Sequence, residues 1–161
     1  MVDNEQQLAH ERSTGPLLIF RAKELVCALP LATVEEIMRP LPVKPLEGAP
    51  PFVAGISVVR GAPVPVVDAG TLLSGETSSP RRLIALKVAN RRAALAVDDV
   101  LGIRTLPPET LSDLPPLLRD GRRDVIELIG TLDADLLLVL RSGRLVPDSV
   151  WTRLEWQEAP Q

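Results

Sequence analysis

The chain has 161 residues, of which 45% are hydrophobic and 24% are charged, and its formal net charge at pH 7 is −3. This composition excludes a disordered chain, and the lack of a strong positive charge excludes a protein that binds nucleic acid through its phosphates. The length suffices for one domain, or for two small barrels that share a core. We therefore expect the partners to be proteins.

The N-terminal segment and the cysteine content indicate in which cellular compartment the protein is expected. Residues 1–15 are polar and mixed in charge, which excludes a secretory signal and predicts a flexible tail. Apolar runs such as LLLVL at 136–140 are far shorter than the roughly 20 residues of a membrane span. Cys27 is the only cysteine, so neither an internal disulfide nor a cysteine-based zinc cluster can form. We expect a soluble, cytoplasmic protein with no direct membrane insertion.

Ten short apolar segments predict an all-β fold. Leu, Val, Ile and Ala dominate the apolar residues, and 16 prolines argue against long helices. Each segment is bounded by Pro, Gly, Asp or charged residues, and so many short strands are typical of barrels or a sandwich. In chain order the predicted strands are LLIFRA, ELVCALP, VEEIMR, AGISVV, VPVVD, RLIALKV, RRAALAV, VLGIRTL, VIELIGTL and DLLLVL.

The stretch from Gly55 to Asp68 predicts a hairpin that turns at Arg60 and Gly61, because β-branched residues flank this pair on both sides. An arginine at such a turn points outward, where binding residues tend to lie. Gly55 marks either a β-bulge or the floor of a docking groove. Asp68 precedes the helix-like sequence GTLL, and we interpret it as an N-cap rather than as a ligand contact.

Three segments interrupt the strand pattern. Residues 74–82 are small and polar and predict a linker that divides the chain nearly in half. Residues 105–124 form a proline-rich loop, which is either a solvated connection or a functional segment. Near the C-terminus, Val150, Trp151 and Leu154 have helical spacing, which predicts a short helix that docks Trp151 onto the second barrel.

The two halves have similar sequences. LLIFRAKELVCAL aligns with ALKVANRRAALAV, which predicts two equivalent hairpins that turn at 23–24 and 91–92, and the stretch 55–68 matches 130–140. An internal duplication explains both matches. Chance similarity among Val- and Leu-rich strands is the alternative.

The sequence lacks recognisable catalytic and metal-binding patterns. The only histidine, His10, lies in the polar N-terminal segment, so no nucleophile–base pair is expected. The carboxylate pairs Asp98-Asp99 and Asp133-Asp135 fall at expected turns, where Asp forms local hydrogen bonds. Neither glycine-rich phosphate-binding motif is present. The sequence predicts no catalytic residue, cofactor or metal; the alternative is a small β-barrel enzyme or ligand-binding protein that uses Asp98, Asp99 or Asp133.

The hairpin region and its surroundings carry a family resemblance. Its motif residues stand in the order FVxG, RG and PVVD, at 52–55, 60–61 and 65–68. This order resembles the signature of the CheW-type coupling proteins, the bacterial chemotaxis adaptors that join receptors to the CheA histidine kinase. The similarity includes LVCALPLATVEEIMRPLPVKPLEGAPPFVAG upstream and extends, more faintly, through LAVDDVLGI and LIGTLDADLLLVL to about residue 145.

The resemblance implies a CheW-like domain over 16–145. It would consist of two SH3-like five-stranded β-barrels packed together, with short helices at turns and at the C-terminus. The first barrel would cover about 16–73 and the second about 83–145, with the N-terminal strand able to cross over to the second barrel. A C-terminal helix and tail would follow at 146–161. Two related barrels would also account for the internal repeat.

The resemblance also nominates site residues. In CheW-type proteins, the segment that matches 34–37 and the turn that matches 60–61 contribute to the receptor and kinase interfaces. Arg60 would form a bidentate pair with Glu36 from the neighbouring strand, or with an acidic residue of the partner. Val34 would line an apolar groove between the barrels for a receptor helix, or belong to the core. The predicted partner-binding residues are Val34, Glu36, Gly55, Arg60 and Gly61, with Ile37 and Asp68 as supporting residues.

The function implied by the resemblance is that of a noncatalytic scaffold. It would couple the cytoplasmic tip of a chemoreceptor to the regulatory domain of a CheA-type kinase and be recruited to membrane receptor arrays. The chain reads VVRG at 58–61 where many members read Asn-Leu-Arg-Gly, and Ala69 stands in place of the usual Leu, which points to a divergent chemosensory pathway. The alternative within the family is a competitive regulator that binds only one of the two partners.

Overall fold

The computed structural model describes residues 15–114 and 124–158, with side chains through Glu155. The predicted N-terminal tail, apart from Gly15, lies outside the described residues, and so does His10. The strands are β1 (Leu17–Ala22), β2 (Leu25–Pro30), β3 (Val34–Met38), β4 (Val53–Val59), β5 (Ala62–Asp68), β6 (Arg82–Val88), β7 (Arg91–Val97), β8 (Asp99–Arg104), β9 (Leu111–Asp113), β10 (Ile126–Leu132) and β11 (Asp135–Leu140). The helices are α1 (Ala69–Ser74) and α2 (Asp148–Glu158).

The all-β prediction is confirmed, since each of the ten predicted strands overlaps an observed one. The additional strand, β9, lies inside the predicted loop at 105–124. It follows a 3-10 turn at Pro108–Thr110 and pairs antiparallel with β10. The first part of that loop is therefore an ordered edge of a sheet, and residues 115–123 lie outside the described residues.

The strands form two sheets. The five-stranded sheet has the order β3-β6-β7-β5-β4, and the six-stranded sheet has the order β8-β1-β2-β11-β10-β9. We call the five-stranded sheet and its interior barrel 1, and the six-stranded sheet and its interior barrel 2. Neighbouring strands are antiparallel except for the parallel pairs β5–β7 and β2–β11. The predicted pair of SH3-like barrels is thus observed, with one strand more than expected in barrel 2.

This strand order corrects the predicted division of the chain. The hairpin β1–β2 lies in barrel 2 and the hairpin β6–β7 in barrel 1, so neither barrel is a continuous half of the sequence. The segment 74–82 connects α1 to β6 within barrel 1, and the crossover expected of one N-terminal strand involves the whole first hairpin. The cause is long-range parallel pairing, of Val26 with Leu137 and of Val66 with Ala94, which local strand patterns do not encode.

The core consists of three apolar clusters, because both faces of the central strands are buried. In β1, Leu17 and Ile19 belong to the interior of barrel 2, whereas Leu18 and Phe20 belong to a central cluster between the two sheets. The interior of barrel 1 forms the third cluster. Burial on both faces explains why the central strands read as continuous apolar runs rather than as alternating patterns.

The two barrels repeat one arrangement of strands. β3, which follows the hairpin β1–β2, pairs with β6, and β8, which follows the hairpin β6–β7, pairs with β1. The hairpins β4–β5 and β10–β11 occupy corresponding places in the two sheets. The predicted turn at 23–24 is confirmed, whereas the second hairpin turns at 89–90 instead of 91–92, because Arg91 already pairs with Val88 in the ladder.

Candidate partner-binding site

Arg60 and Gly61 form the two-residue turn between β4 and β5. Val59 pairs with Ala62 across the end of the hairpin, and φ is 52° at Arg60 and 81° at Gly61. Positive φ at both central residues is the pattern of a type I′ turn, which matches the twist of a hairpin. Glycine adopts this conformation freely, whereas an arginine pays a steric cost of about 1–2 kcal/mol. Other hairpin turns of the described residues also carry non-glycine residues with positive φ, including Ala89 and Ala134, so this conformation belongs to the turn type.

Arg60 forms a bidentate ion pair with Glu36. Nε of Arg60 donates to Oε2 of Glu36 at 2.9 Å and Nη2 donates to Oε1 at 2.6 Å, which confirms one of the two predicted geometries. The prediction of a neighbouring strand was wrong, because Glu36 lies in β3 and Arg60 follows β4, and these are the two edge strands of barrel 1. Curvature of the sheet brings the edges together, so the ion pair spans the seam of the barrel.

This ion pair is exposed to solvent, and each partner favours the charged form of the other. The side chains of Arg60 and Glu36 are 72% and 34% exposed, respectively. Hydrogen bonds from Arg60 lower the pKa of Glu36, and the same bonds raise the pKa of Arg60. Because water screens such a pair, its contribution to folding stability is small. Its main effect is to orient the guanidinium, which has five N–H donors and uses Nε and Nη2 to bind Glu36.

Val34 and Ile37 lie in the same strand as Glu36 but in different environments. Val34 is half-buried, pairs with Leu86 of β6 and packs against the central cluster, as expected of a residue at the margin of the core. Ile37 is 41% exposed. Of the two, Ile37 presents the larger fraction of its surface to a partner.

Gly55 is buried beneath the backbone of Lys44. Its φ is 145°, and a Cβ at this position would lie 2.1 Å from the carbonyl oxygen of Lys44. The backbone of Lys44 also pairs with Ile56, and the β4–β5 register shifts between Val53 and Gly55. The bulge interpretation of Gly55 is therefore confirmed, and Gly55 does not line an open groove. The Lys44 carbonyl occupies the space beside its Cα, and the predicted contact of Gly55 with a partner stays a prediction.

Gly130 of β10 in barrel 2 also lies close to an edge segment. A Cβ at Gly130 would lie 2.8 Å from the carbonyl oxygen of Thr110 and 2.8 Å from the side chain of Leu111. The sequence match between 55–68 and 130–140 is nevertheless out of register with the structure. Gly55 pairs with Val66 after a register shift in β4, and the residue that follows the same shift in β10 is Leu128, which pairs with Val139. In both barrels, a glycine in the first strand of the hairpin allows an edge segment to cross at close range.

Asp68 caps helix α1. Its Oδ1 accepts a hydrogen bond from the backbone N–H of Thr71 at 3.3 Å and another from the hydroxyl of Ser78. The N-cap prediction is confirmed. Asp68 supports the site only indirectly, by stabilising the start of the helix that follows β5.

Two exposed apolar side chains lie on or beside β4, the strand that leads to Arg60, and the sequence analysis did not identify them as part of the site. Val58 is 66% exposed and Val43 is 36% exposed. Val58 takes the position at which many CheW-type sequences have Asn, two residues before Arg60. The alternation of β4 was no signal for this exposure. Residues 54, 56 and 58 are Ala, Ile and Val, which a sequence pattern predicts to be buried, whereas the structure buries 53, 55, 57 and 59 instead. We call Glu36, Ile37, Val43, Val58 and Arg60 together the Arg60 surface.

A cavity lies between the tip of the hairpin β6–β7 and helix α2. It has a volume of about 540 Å³, and Leu86, the cross-strand partner of Val34, contributes to its lining together with Trp151. At its rim, the guanidinium of Arg91 lies 5.1 Å from the centre of the Trp151 ring, and Nη2 of Arg91 bonds Oε1 of Glu155 at 3.0 Å. We call this feature the α2 cavity.

Helix α2 confirms the predicted C-terminal helix. Val150 and Leu154 are buried in the central cluster, and Trp151 packs partly against it. Trp151 was expected to contact the second barrel, but the hairpin beside it belongs to barrel 1. This correction follows from the exchange of hairpins between the barrels.

The carboxylates proposed for an alternative chemistry have structural roles, although the contact of Asp98 reaches the β1–β2 turn rather than its own turn. Oδ2 of Asp98 accepts from the backbone N–H of Lys23 at 2.8 Å, and Asp133 has a φ of 49° in the β10–β11 turn. Oδ1 of Asp99 accepts from the N–H of the next residue. Within 15–114 and 124–158, no three His, Cys, Asp or Glu side chains are grouped so that they could hold a metal ion. Over the same ranges, no helix has the length and apolar character needed to cross a membrane.

The comparisons with known proteins agree with this fold. A family model described as CheW-like domain matches residues 16–150. The chain is 25% identical over 134 residues to the chemotaxis protein CheW of Rhizobium meliloti, covering 81% of this chain and 86% of that protein. It is 31% identical over 137 residues to protein FrzA of Myxococcus xanthus, covering 83% and 84% of the two chains.

Two further matches extend the comparison. Protein PilI of Pseudomonas aeruginosa is 33% identical over 102 residues, which cover 61% of this chain and 57% of that protein. The crystal structure of the scaffolding protein TtCheW from Thermoanaerobacter tengcongensis superposes with a TM-score of 0.70 at 20% identity, covering 80% of this chain and 89% of that chain. Because the family model spans most of the sequence, the chain belongs to the CheW-like domain family.

Proposed function

We propose that this CheW-like chain is a noncatalytic scaffold that couples the cytoplasmic tip of a chemoreceptor to the regulatory domain of a CheA-type histidine kinase. It would act in the cytoplasm and reach membrane receptor arrays through these partners. The observation that carries the proposal is the Arg60 surface. It combines exposed apolar side chains with an ion-paired arginine, and arginine is one of the residue types enriched in binding hot spots.

The two partners would use different features of the molecule. The Arg60 surface offers N–H groups for an acidic residue and apolar contacts around them, and we assign it to one signalling partner. The α2 cavity offers an apolar floor with a polar rim, which suits side chains from the helical hairpin of a receptor tip. Val34 would influence this cavity through its cross-strand neighbour Leu86. Gly55 would act indirectly, by allowing the Lys44 segment to reach its position beside β4.

The proposed pathway is a divergent one. Val58 is an exposed apolar residue where many family members have Asn, so the cognate partner would present an apolar rather than a hydrogen-bonding group at this point. Weak contacts at each surface would gain strength in a clustered array, because tethered neighbours raise the effective concentration.

The proposal is tested by co-sedimentation with receptor-containing membranes and by pull-down with the CheA-type kinases of the same organism. Arg60→Ala should weaken binding to at least one partner roughly tenfold, as expected for loss of a central arginine, while the melting temperature stays within a few degrees. Arg92→Ala is the matched control, because Arg92 is also an exposed arginine of barrel 1 that pairs with a glutamate of β3, at 3.4 Å. Equal binding by wild type and Arg60→Ala would contradict the proposal.

The same assays separate the alternative function. A competitive regulator would bind the kinase or the receptor, but it would not bring both into one complex. A ternary complex that depends on this chain supports the coupling function, and its absence, with one binary complex intact, supports the regulator.

A further inference from the structure

The connection between β3 and β4 begins with a proline-rich stretch, residues 39–45, whose sequence is RPLPVKP. Proline holds φ at about −65°, and a residue that precedes a proline is restricted to extended or polyproline II conformations. Three of these residues are prolines and three others precede one, so only Val43 escapes both restrictions. The stretch lies outside the helices and strands and is therefore a preformed, extended ligand of the polyproline II type. We call residues 39–45 the proline segment.

One side of the proline segment is fixed to barrel 1. Leu41 packs against the interior cluster of this barrel. The carbonyl oxygen of Pro42 accepts a hydrogen bond from the hydroxyl of Ser57 at 2.8 Å. The backbone N–H and carbonyl of Lys44 pair with Ile56 of β4, both at 2.8 Å. Because a polyproline II helix forms no internal hydrogen bonds, these contacts are what holds the segment in place.

The other sides of the proline segment are exposed. A polyproline II helix has three residues per turn, so side chains three positions apart share a face. Arg39, Pro42 and Pro45 share one face, and all three are exposed. Pro40 and Val43 share a second face and are exposed as well. Two of the three faces are therefore accessible to a partner.

The proline segment carries two cations beside its exposed rings. Arg39 and Lys44 are both exposed, and neither forms an ion pair within residues 15–114 and 124–158. The spacing of Pro42 and Pro45 is that of a PxxP sequence, which binds in the aromatic-lined grooves of SH3 and WW domains. Unpaired cations next to such a sequence favour a groove with acidic residues at its rim.

We propose that the proline segment binds a partner domain that has an aromatic-lined groove with an acidic rim. The aromatic rings would pack against the exposed prolines, and the carboxylates would pair with Arg39 and Lys44. Anchoring to β4 reduces the conformational entropy lost on binding. The interaction involves neither receptor nor kinase, so it does not depend on the proposed coupling function. Because Val43 also belongs to the Arg60 surface, a bound domain would limit access to that surface.

The test titrates the isotope-labelled full chain with isolated SH3 domains that bind PxxP ligands through a groove with an acidic rim. A free peptide of residues 39–45 measures recognition of the sequence alone. Changes in amide NMR shifts should be confined to the non-proline residues of the proline segment and to their neighbours in β4. The full chain should bind at least as tightly as the peptide, because its segment is already extended. The titration reaches about 1 mM so that weak binding is detected.

Substitutions identify the groups that the domain contacts. Pro42→Ala, Pro45→Ala and Lys44→Glu should each weaken binding roughly tenfold, since each removes an exposed ring or reverses a charge. Pro51→Ala is the matched control, because Pro51 is an exposed proline of the same connection outside the proline segment, and it should leave the affinity unchanged. Circular dichroism melts establish that the variants are folded.

Three results would overturn the proposal. Binding of the free peptide without binding of the full chain would mean that the anchored segment is inaccessible. Failure of both to bind would mean that aromatic grooves do not recognise this sequence. Equal losses of affinity in Pro45→Ala and Pro51→Ala would mean that the domain binds elsewhere on the chain.

Discussion

Barrel 1 and barrel 2 share one arrangement of strands but differ where a helix meets the tip of a hairpin. At the tip of β1–β2, α1 packs so closely that a Cβ on Gly70 would lie 3.2 Å from the side chain of Lys23, and Lys23 also forms an ion pair with Glu76 at 3.1 Å. At the tip of β6–β7, α2 leaves the α2 cavity open beside Trp151. The same strand arrangement thus has a closely packed contact between helix and hairpin at one tip and a cavity between them at the other.

The difference indicates where the duplicated fold is constrained and where it is free to vary. The shared central cluster requires apolar residues from both hairpins, so the strand arrangement is retained in both barrels. Turns, seams and helix contacts lie at the surface, where substitutions cost little stability. Two differences are of this surface type. The hairpin turn supplies the base of the seam ion pair in barrel 1, Arg60 with Glu36, and the acid in barrel 2, Asp133 with Arg104 at 3.6 Å, and the α2 cavity lies beside the β6–β7 tip.

The largest expected effect comes from equivalent core positions in the two hairpins. Phe20 of β1 and Leu86 of β6 are both fully buried in the central cluster. Phe20→Ala should cost about 3–5 kcal/mol of unfolding free energy and Leu86→Ala about 2–5 kcal/mol. Because the cluster joins both barrels, urea unfolding followed by circular dichroism and by tryptophan fluorescence should give one coincident transition.

Val58→Ala is the control for this pair, because Val58 is 66% exposed and its truncation should change stability by less than about 0.5 kcal/mol. Two separate transitions in either core variant would contradict the shared core and would mean that each barrel unfolds independently.

An intermediate effect should distinguish two glycines with similar backbone conformations. Gly55 of barrel 1 has a φ of 145° and Gly102 of barrel 2 has a φ of 137°, but only at Gly55 would a Cβ meet another group, the Lys44 carbonyl. Gly102→Ala should cost about 1–3 kcal/mol through backbone strain alone. Gly55→Ala should cost clearly more, because the steric clash adds to the strain. Equal losses in urea denaturation would mean that the Lys44 segment moves aside easily.

The smallest expected effect concerns the seam of barrel 1. The pKa of Glu36 is lowered from 4.5 by hydrogen bonds from Arg60, so the stabilisation by this pair is present above about pH 4.5 and is lost as the pH falls through the lowered value. A carboxyl-detected NMR titration should therefore find Glu36 titrating below its usual pKa. In Arg60→Ala the midpoint should move upward, whereas Arg92→Ala should leave it unchanged. An unaltered Glu36 midpoint in Arg60→Ala would show that the ion pair is not maintained in solution.

Local chemistry accounts for the parts of the site that could be predicted. The Arg60-Gly61 turn follows from its flanking β-branched residues, the N-cap role of Asp68 from its place before a short helix, and the bulge at Gly55 from a glycine inside a strand. The exposed Val58 was missed because an apolar residue in a strand pattern is compatible both with burial in the core and with contact to a partner.

The sequence by itself determined the all-β class, the strand segments and the family, because these depend on side-chain type, turn residues and short motifs. Only the tertiary structure decided which hairpin belongs to which barrel, since the parallel pairs β2–β11 and β5–β7 join residues far apart in the chain. It also decided that Glu36 and Arg60 meet across a barrel seam and that Arg104 and Asp133 form the reversed counterpart. Such contacts arise from sheet curvature, which brings edge strands together and which no local sequence pattern specifies.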